Sequence, residues 1–201
     1  MRIADIFPDH DKLTTPDISQ VDTSGVTDMS GMFSWCKNLT KLDLRGLDTS
    51  QVTEMCNMFH CCSGLTSLDV SSFDTSKVWD MCGMFSGCKS LASLDLSSFD
   101  TSNVCDMNEM FDSCESLTTL DLSMFDTSNV RNMFLMFHGC KSLATLDISS
   151  FDTSKVDIEE GDMSSMFKGC DSLRTVIMKN CSKDTIEAIR RELPPGVEII
   201  R

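Results

Sequence analysis

Apolar residues fall in columns along this chain. Cysteine stands at Cys36, Cys62, Cys88, Cys114 and Cys140, a step of 26, and then at Cys170 after a step of 30. Met29, Met55, Met81, Met107, Met133 and Met163 keep the same register, as do Phe33, Phe59, Phe85, Phe111, Phe137 and Phe167. The polar positions are equally regular, with Asp-Thr-Ser beginning at Asp22, Asp48, Asp74, Asp100, Asp126 and Asp152. The last step is longer because Asp157-Ile-Glu-Glu-Gly161 carries about four extra residues. Self-similarity at one fixed period is the mark of a stacked-repeat architecture. Residues 21–178 read as six copies of one unit.

One unit predicts its own elements. Leu91-Ala-Ser-Leu94-Asp95-Leu96 has the spacing L-x-x-L-x-L, and its last three residues alternate as a half-buried strand does. Ser97 to Ser102 comes next as a turn, where Asp, Ser and Thr side chains bond nearby amides. Met107, Met110, Phe111 and Cys114 are then spaced i, i+3, i+4, i+7, one face of a short helix of about two turns. Leu117 opens the next strand. The expected fold is an α/β repeat solenoid, leucine-rich-repeat-like, with 26-residue coils that each hold a strand and a short helical segment.

The ends predict caps. Residues 1–20 read as a degenerate N-terminal coil, because Leu13-Thr-Thr-Pro16-Asp17-Ile18 puts Pro where Leu belongs, and Pro discourages further pairing at an edge. Residues 179–201 read as a C-terminal cap. Asp184-Thr-Ile-Glu187 resembles a capping box, Ile186, Ile189 and Leu193 form an apolar stripe, and Pro194-Pro195-Gly196 stops the helix. Val197 to Ile200 then adds a last strand. The chain is expected to be one elongated domain whose closing element covers the open core.

The unit Cys88 through Phe111 has the form C-x-x-L-x-x-L-D-L-S-x-F-D-T-S-x-V-x-x-M-x-x-M-F. Repeats of this form resemble the BspA-like leucine-rich repeat surface proteins of bacteria. The resemblance implies a solenoid displayed on the cell surface or secreted. It implies adhesion or protein binding, in some members to host matrix proteins, and no catalytic activity. The stretch from Met1 to His10 lacks the apolar core of a signal peptide, and no anchor is evident, so a cytoplasmic location is the alternative.

Differences between the copies separate structural from recognition columns. The fixed Met, Phe, Leu and Cys columns are core, with soft sulfur beside aromatic rings. The stacked cysteines are expected to be free buried thiols, although coil spacing alone also permits disulfides. The off-column pair Cys56 and Cys82 stands one period apart and is open to a bridge. With His60 it also forms a conceivable zinc cluster, against the plainer reading of a surface histidine near core thiols. Asp17, Asp43, Asp69, Asp95, Asp121 and Asp147 should line the exposed sheet face. Neighbouring carboxylates repel by roughly 0.8 kcal/mol at about 5 Å in water-like dielectric, so something must offset them. Hydrogen bonds from Ser67, Ser93, Thr119 and Thr145 are one offset, and a basic partner or bound calcium are others. The aspartates of Asp-Thr-Ser are expected to cap turns.

The column after the repeated Val runs Thr27, Thr53, Trp79, Cys105, Arg131 and Asp157. Trp and Arg are the types enriched in binding hot spots, so Trp79 and Arg131 are the expected anchors. A second variable column runs Gly25, Gln51, Lys77, Asn103, Asn129 and Lys155.

Charge narrows the partner. The 201 residues include 17 basic and 31 acidic ones, a net charge of −14, which disfavours nucleic acid and anionic lipid. No apolar run approaches the ~18 residues of a membrane span. The three histidines, His10, His60 and His138, belong to no catalytic motif, and no phosphate loop or zincin pattern is present. The expected function is therefore a non-catalytic protein-binding or adhesion module that uses no cofactor and no metal. It binds through an acidic repeat face made of Asp43, Asp69, Asp95, Asp121 and Asp147 with Trp79 and Arg131 beside it. The chain is expected to be monomeric. An intracellular protein-interaction scaffold of the same fold and a calcium-binding structural module are the alternatives.

Overall fold

A computed structural model describes residues 12–201, so the first eleven residues of the expected N-terminal coil, His10 included, lie outside the described residues. The chain winds in stacked coils. Strands β1 (Thr119–Asp121), β2 (Thr145–Asp147), β3 (Thr175–Ile177) and β4 (Glu198–Ile200) form one parallel sheet in chain order. The register pairs Leu120 with Leu146, Leu146 with Val176, and Val176 with Ile199. In β1 the central Leu120 is buried and its neighbours are exposed, as the two-residue period of a pleated strand requires. In the earlier coils Leu94 and Leu96 keep that alternation around exposed Asp95, but the segment joins no regular ladder.

The expected helical segment of each unit is absent. Residues 107–114 form successive turns instead, because Glu109 and Ser113 have φ of 55° and 56°, outside the helical region. Met110 N–H donates to Met107 O, Asp112 N–H to Glu109 O, and Cys114 N–H to Phe111 O, closing three turns. The intervening amides reach the next coil: Met107 donates to Asn132 O (3.0 Å), Glu109 to Phe134 O (2.8 Å), Phe111 to Met136 O (2.9 Å) and Ser113 to His138 O (2.7 Å). Linked turns also bring positions three and four apart to one side, so the apolar spacing fits both structures. Left-handed residues recur in two columns, Gly31, Asn57, Gly83, Glu109, Leu135 and Ser165, then Trp35, Cys61, Gly87, Ser113, Gly139 and Gly169. Among the described residues the helix is α1 (Lys183–Glu192).

The core runs the length of the stack. Phe33, Phe59, Phe85, Phe111, Phe137 and Phe167 stack ring on ring, with centroids 5.5–5.8 Å apart. The thiol column from Cys36 to Cys170 is buried and forms no disulfide. Each thiol from Cys62 onward donates to a phenylalanine carbonyl of the preceding coil, as Cys88 does to Phe59 O at 3.2 Å. Burial pushes Cys88 up to about 12, which leaves it a protonated, unreactive thiol.

The threonine of each Asp-Thr-Ser is a coil-to-coil clip. Buried Thr75 donates through Oγ1 to Asp100 O (2.9 Å) and accepts from Asp100 N–H (2.8 Å). Thr23, Thr49, Thr101 and Thr127 repeat the donation to the next coil. The C-terminal cap is shifted from its expected start: Ser182, not Asp184, caps α1, accepting from Thr185 N–H at 3.0 Å. Asp184 falls inside the first turn, where a carboxylate favours the helix dipole.

Candidate interaction surface

The expected aspartates lie on the sheet side of the stack. Asp43, Asp69, Asp95 and Asp121 are exposed and Asp147 is half-buried. What tempers their repulsion differs from expectation. Each Oδ1 accepts the backbone N–H two residues ahead: Asp43 from Arg45 (3.2 Å), Asp69 from Ser71 (3.0 Å), Asp95 from Ser97 (3.0 Å), Asp121 from Ser123 (2.9 Å) and Asp147 from Ser149 (3.0 Å). Ser67, Ser93, Thr119 and Thr145 are not the donors found, because the chain bends just after each aspartate and turns the next amide back onto it. The Ser71 hydroxyl adds a bond to Asp69 (2.6 Å) and holds its carboxyl below the ordinary value. Asp43 differs from the others. Arg45 grips it through two nitrogens, at 2.9 and 2.5 Å, and this guanidinium lowers Asp43 to about 2. Asp43 therefore offers a partner less free charge than Asp69 or Asp95.

Trp79 and Arg131 are exposed but stand on another column. Trp79 N–H donates to Thr53 O, Cys105 N–H to Trp79 O and Arg131 N–H to Cys105 O. One coil, carrying Cys105, thus separates the two expected anchors. The second variable column turns out to clasp neighbouring coils. Lys77 Nζ reaches Gln51 Oε1 (3.1 Å), Asn103 Nδ2 reaches Ser76 O (2.7 Å) and Lys155 Nζ reaches Asn129 Oδ1 (2.6 Å).

Sequence reasoning missed Met124, which is 72% exposed. It lines a hollow of about 250 Å³ together with Asp95, Asp121, Ser97 and Thr119. The signal was in the columns, since Ser72, Ser98 and Ser150 hold the equivalent place in neighbouring copies. A second acidic column was also missed: Asp28, Glu54, Asp80 and Asp106 pair in parallel from coil to coil, and Asn132 continues it. Burial and the neighbouring Asp106 and Asp28 raise the Asp80 carboxyl, against an opposing bond from Cys82 N–H.

Cys56 and Cys82 are joined by a disulfide across adjacent coils, with Cα atoms 4.7 Å apart. His60 does not join them. Its Nε2 faces Cys61 Sγ at 3.3 Å, its ring meets Trp35 edge-on at 5.3 Å, and burial lowers its pKa. The residue that gathers with the two sulfurs is Asp80, the three ligand atoms lying within 4.8 Å of one another. While the sulfurs are bonded to each other they are not thiolates, the form that binds zinc.

The family described as "Mycoplasma protein of unknown function, DUF285" matches residues 1–94 and 92–188. The chain belongs to this DUF285 family. Among solved structures, this DUF285 chain is similar to the leucine rich repeat protein of T. pallidum, at 18% identity and a TM-score of 0.53, over 93% of this chain and 86% of that one. That likeness shows a leucine-rich-repeat-like fold for the DUF285 chain. The functional domain of InlJ from Listeria monocytogenes, which includes a cysteine ladder, overlays loosely, with 18% identity, a TM-score of 0.23, and 82% and 41% of the two chains covered. No curated protein sequence matches the chain. No helix among its described residues is long and apolar enough to cross a membrane.

Proposed function

We propose that this chain is a non-catalytic protein-binding module of a BspA-like bacterial protein, surface-displayed or secreted, and that it grips a basic partner through its acidic repeat face. The leucine-rich-repeat-like neighbour supports an interaction module in general. The hollow between Asp95 and Asp121 carries the specific reading. A lysine or arginine side chain laid there would rest its aliphatic stem on Met124 and present its charge to both carboxylates. Asp69 and Asp147 extend the acidic line on either side, and Trp79 and Arg131 supply contacts on their own column. The frame is six repeats over 21–178, the last lengthened by the Asp157–Gly161 insertion, between an N-terminal coil over 1–20 and a C-terminal cap over 179–201. Host matrix proteins are the first partners to screen.

The intracellular scaffold is the second reading, favoured by the nine cysteines in no disulfide, which suit a reducing compartment, and opposed by the Cys56–Cys82 disulfide, which suits an oxidising one. The calcium reading has less support, because one oxygen of each sheet-face aspartate already accepts a backbone amide.

The test is binding to a panel of immobilised extracellular-matrix proteins at low and high salt. The Asp95→Asn/Asp121→Asn double variant should weaken binding at least roughly tenfold, the effect of losing a charge-assisted contact. Met124→Ser should weaken it several-fold, and raised salt should weaken the wild type. Unchanged affinity in both variants would reject this face. Surface labelling of intact cells with an impermeant amine reagent separates display from the scaffold reading.

A further inference from the structure

Four amides of each coil point forward along the stack. In the fifth coil, Met133, Leu135, Phe137 and Gly139 donate to the carbonyls of Asp162, Ser164, Met166 and Lys168, at 2.7, 3.3, 3.0 and 2.8 Å. The same alternation joins every earlier pair of repeats, beginning with Met29 to Glu54 O, Gly31 to Cys56 O, Phe33 to Met58 O and Trp35 to His60 O. The peptide dipoles of these columns are therefore parallel, with their N–H ends toward the C-terminal end of the stack. Aligned hydrogen bonds polarise one another, so the exposed end of such columns carries partial positive charge.

The equivalent residues of the last coil are Met163, Ser165, Phe167 and Gly169. No further coil covers them, and none of their amides has an acceptor among the described residues. Ser165 and Gly169 hold φ of 58° and 80°. Left-handed residues set between right-handed ones turn successive N–H groups to one side, the arrangement that cradles anions. Phe167 is fully buried, so its amide is out of reach of water and of a bound anion, whereas Ser165 is half-buried and Gly169 exposed. An unpaired buried amide is costly and rare.

A cavity of about 510 Å³ opens where these amides end, between the last coil and the C-terminal end of α1. Ser165, Phe167 and Gly169 line one wall, and Lys168, Arg174 and Arg191 supply three cations. Asp171 and Glu192 also line it, leaving one net positive charge in a protein of net −14. Arg174 Nη1 donates to Asp171 O (3.1 Å) and Leu173 O (2.9 Å), which fixes its guanidinium at the rim.

We propose that this cavity is an oxyanion site that takes a phosphate or carboxylate group. The anion's oxygens accept from the amides of Ser165 and Gly169, and Arg174 and Arg191 hold its charge. The site lies apart from the acidic face and does not depend on what that face binds.

The experiment is a titration of the whole chain, monitored by backbone amide NMR, with inorganic phosphate and separately with succinate at constant ionic strength. The expected result is saturable shifts of the Ser165 and Gly169 amides. Arg174→Ala/Arg191→Ala should raise the dissociation constant roughly tenfold or more. Lys89→Ala/Lys141→Ala, a surface control on other coils, should leave it unchanged. Saturation by phosphate alone assigns a phosphate ligand, and saturation by succinate alone assigns a carboxylate. Amides that do not shift with either probe, or an unchanged constant in the double arginine variant, would overturn the proposal.

Discussion

Leu135 holds φ of 56° in a column where Gly31 and Gly83 occur in other coils. A left-handed residue with a Cβ costs roughly 1–2 kcal/mol, while glycine adds about 0.5–1 kcal/mol of chain entropy to the unfolded state. Leu135→Gly therefore relieves about 0.5–1 kcal/mol net, and losing the half-buried leucine side chain offsets it, so the midpoint should move little. The converse change is Gly87→Ala. Its Cβ would enter at φ 73°, 3.0 Å from Cys61 Sγ and 3.2 Å from Cys61 Cα, so a loss of more than ~1 kcal/mol is expected. Denaturant midpoints of the two variants check both expectations. The glycines in these columns were visible in the sequence. Their meaning was not, because Trp35, Glu109, Leu135 and Ser165 occupy the same conformation and hide the pattern.

Each coil depends on its neighbour for more than apolar contact. Thr75 satisfies both the carbonyl and the amide of Asp100 in the next coil with one hydroxyl. Thr75→Val keeps the shape and removes both bonds, leaving a carbonyl and an amide unpaired beside the core. The expected cost is about 2 kcal/mol, read from the urea midpoint. Thr153 stands at the end of that series, and its hydroxyl turns to Thr185 Oγ1 of α1 instead (3.4 Å), so the cap is joined to the stack through the same column. The strands of the later coils were legible from Leu-x-x-Leu-x-Leu because a pleated strand has a two-residue period, while the same spacing in the earlier coils forms no ladder. The helical segment was misread because turns with i→i−3 bonds place Met107, Met110, Phe111 and Cys114 on one side just as a helix does.

Over the whole molecule the carboxylates set the acid limit. Hydrogen bonds lower Asp17, Asp69 and Asp74, chiefly from the hydroxyls of Ser19, Ser71 and Ser76, and lower Asp22, Asp48 and Asp95, chiefly from the amides of Ser24, Ser50 and Ser97. Arg45 takes Asp43 to about 2. Folded values below the unfolded 3.8 mean that the unfolded chain binds protons first as pH falls. Stability should be complete above about pH 4 and drop as pH falls toward about 2. Asp80, raised by burial, opposes this but is a single group against many. A urea midpoint that stays flat from pH 5 to pH 2 would contradict the prediction. The sequence by itself determined the repeat, its register, the core columns and the acidic line of aspartates, because a stack places like residues on like and so writes its contacts as a period. Only the tertiary structure decided how the turns bond, that Met124 stands between Asp95 and Asp121, and that Ser165, Phe167 and Gly169 end the stack with unpaired amides. Those depend on the direction of the backbone and on how the stack is closed beyond its last coil, and neither leaves a periodic trace in residue type.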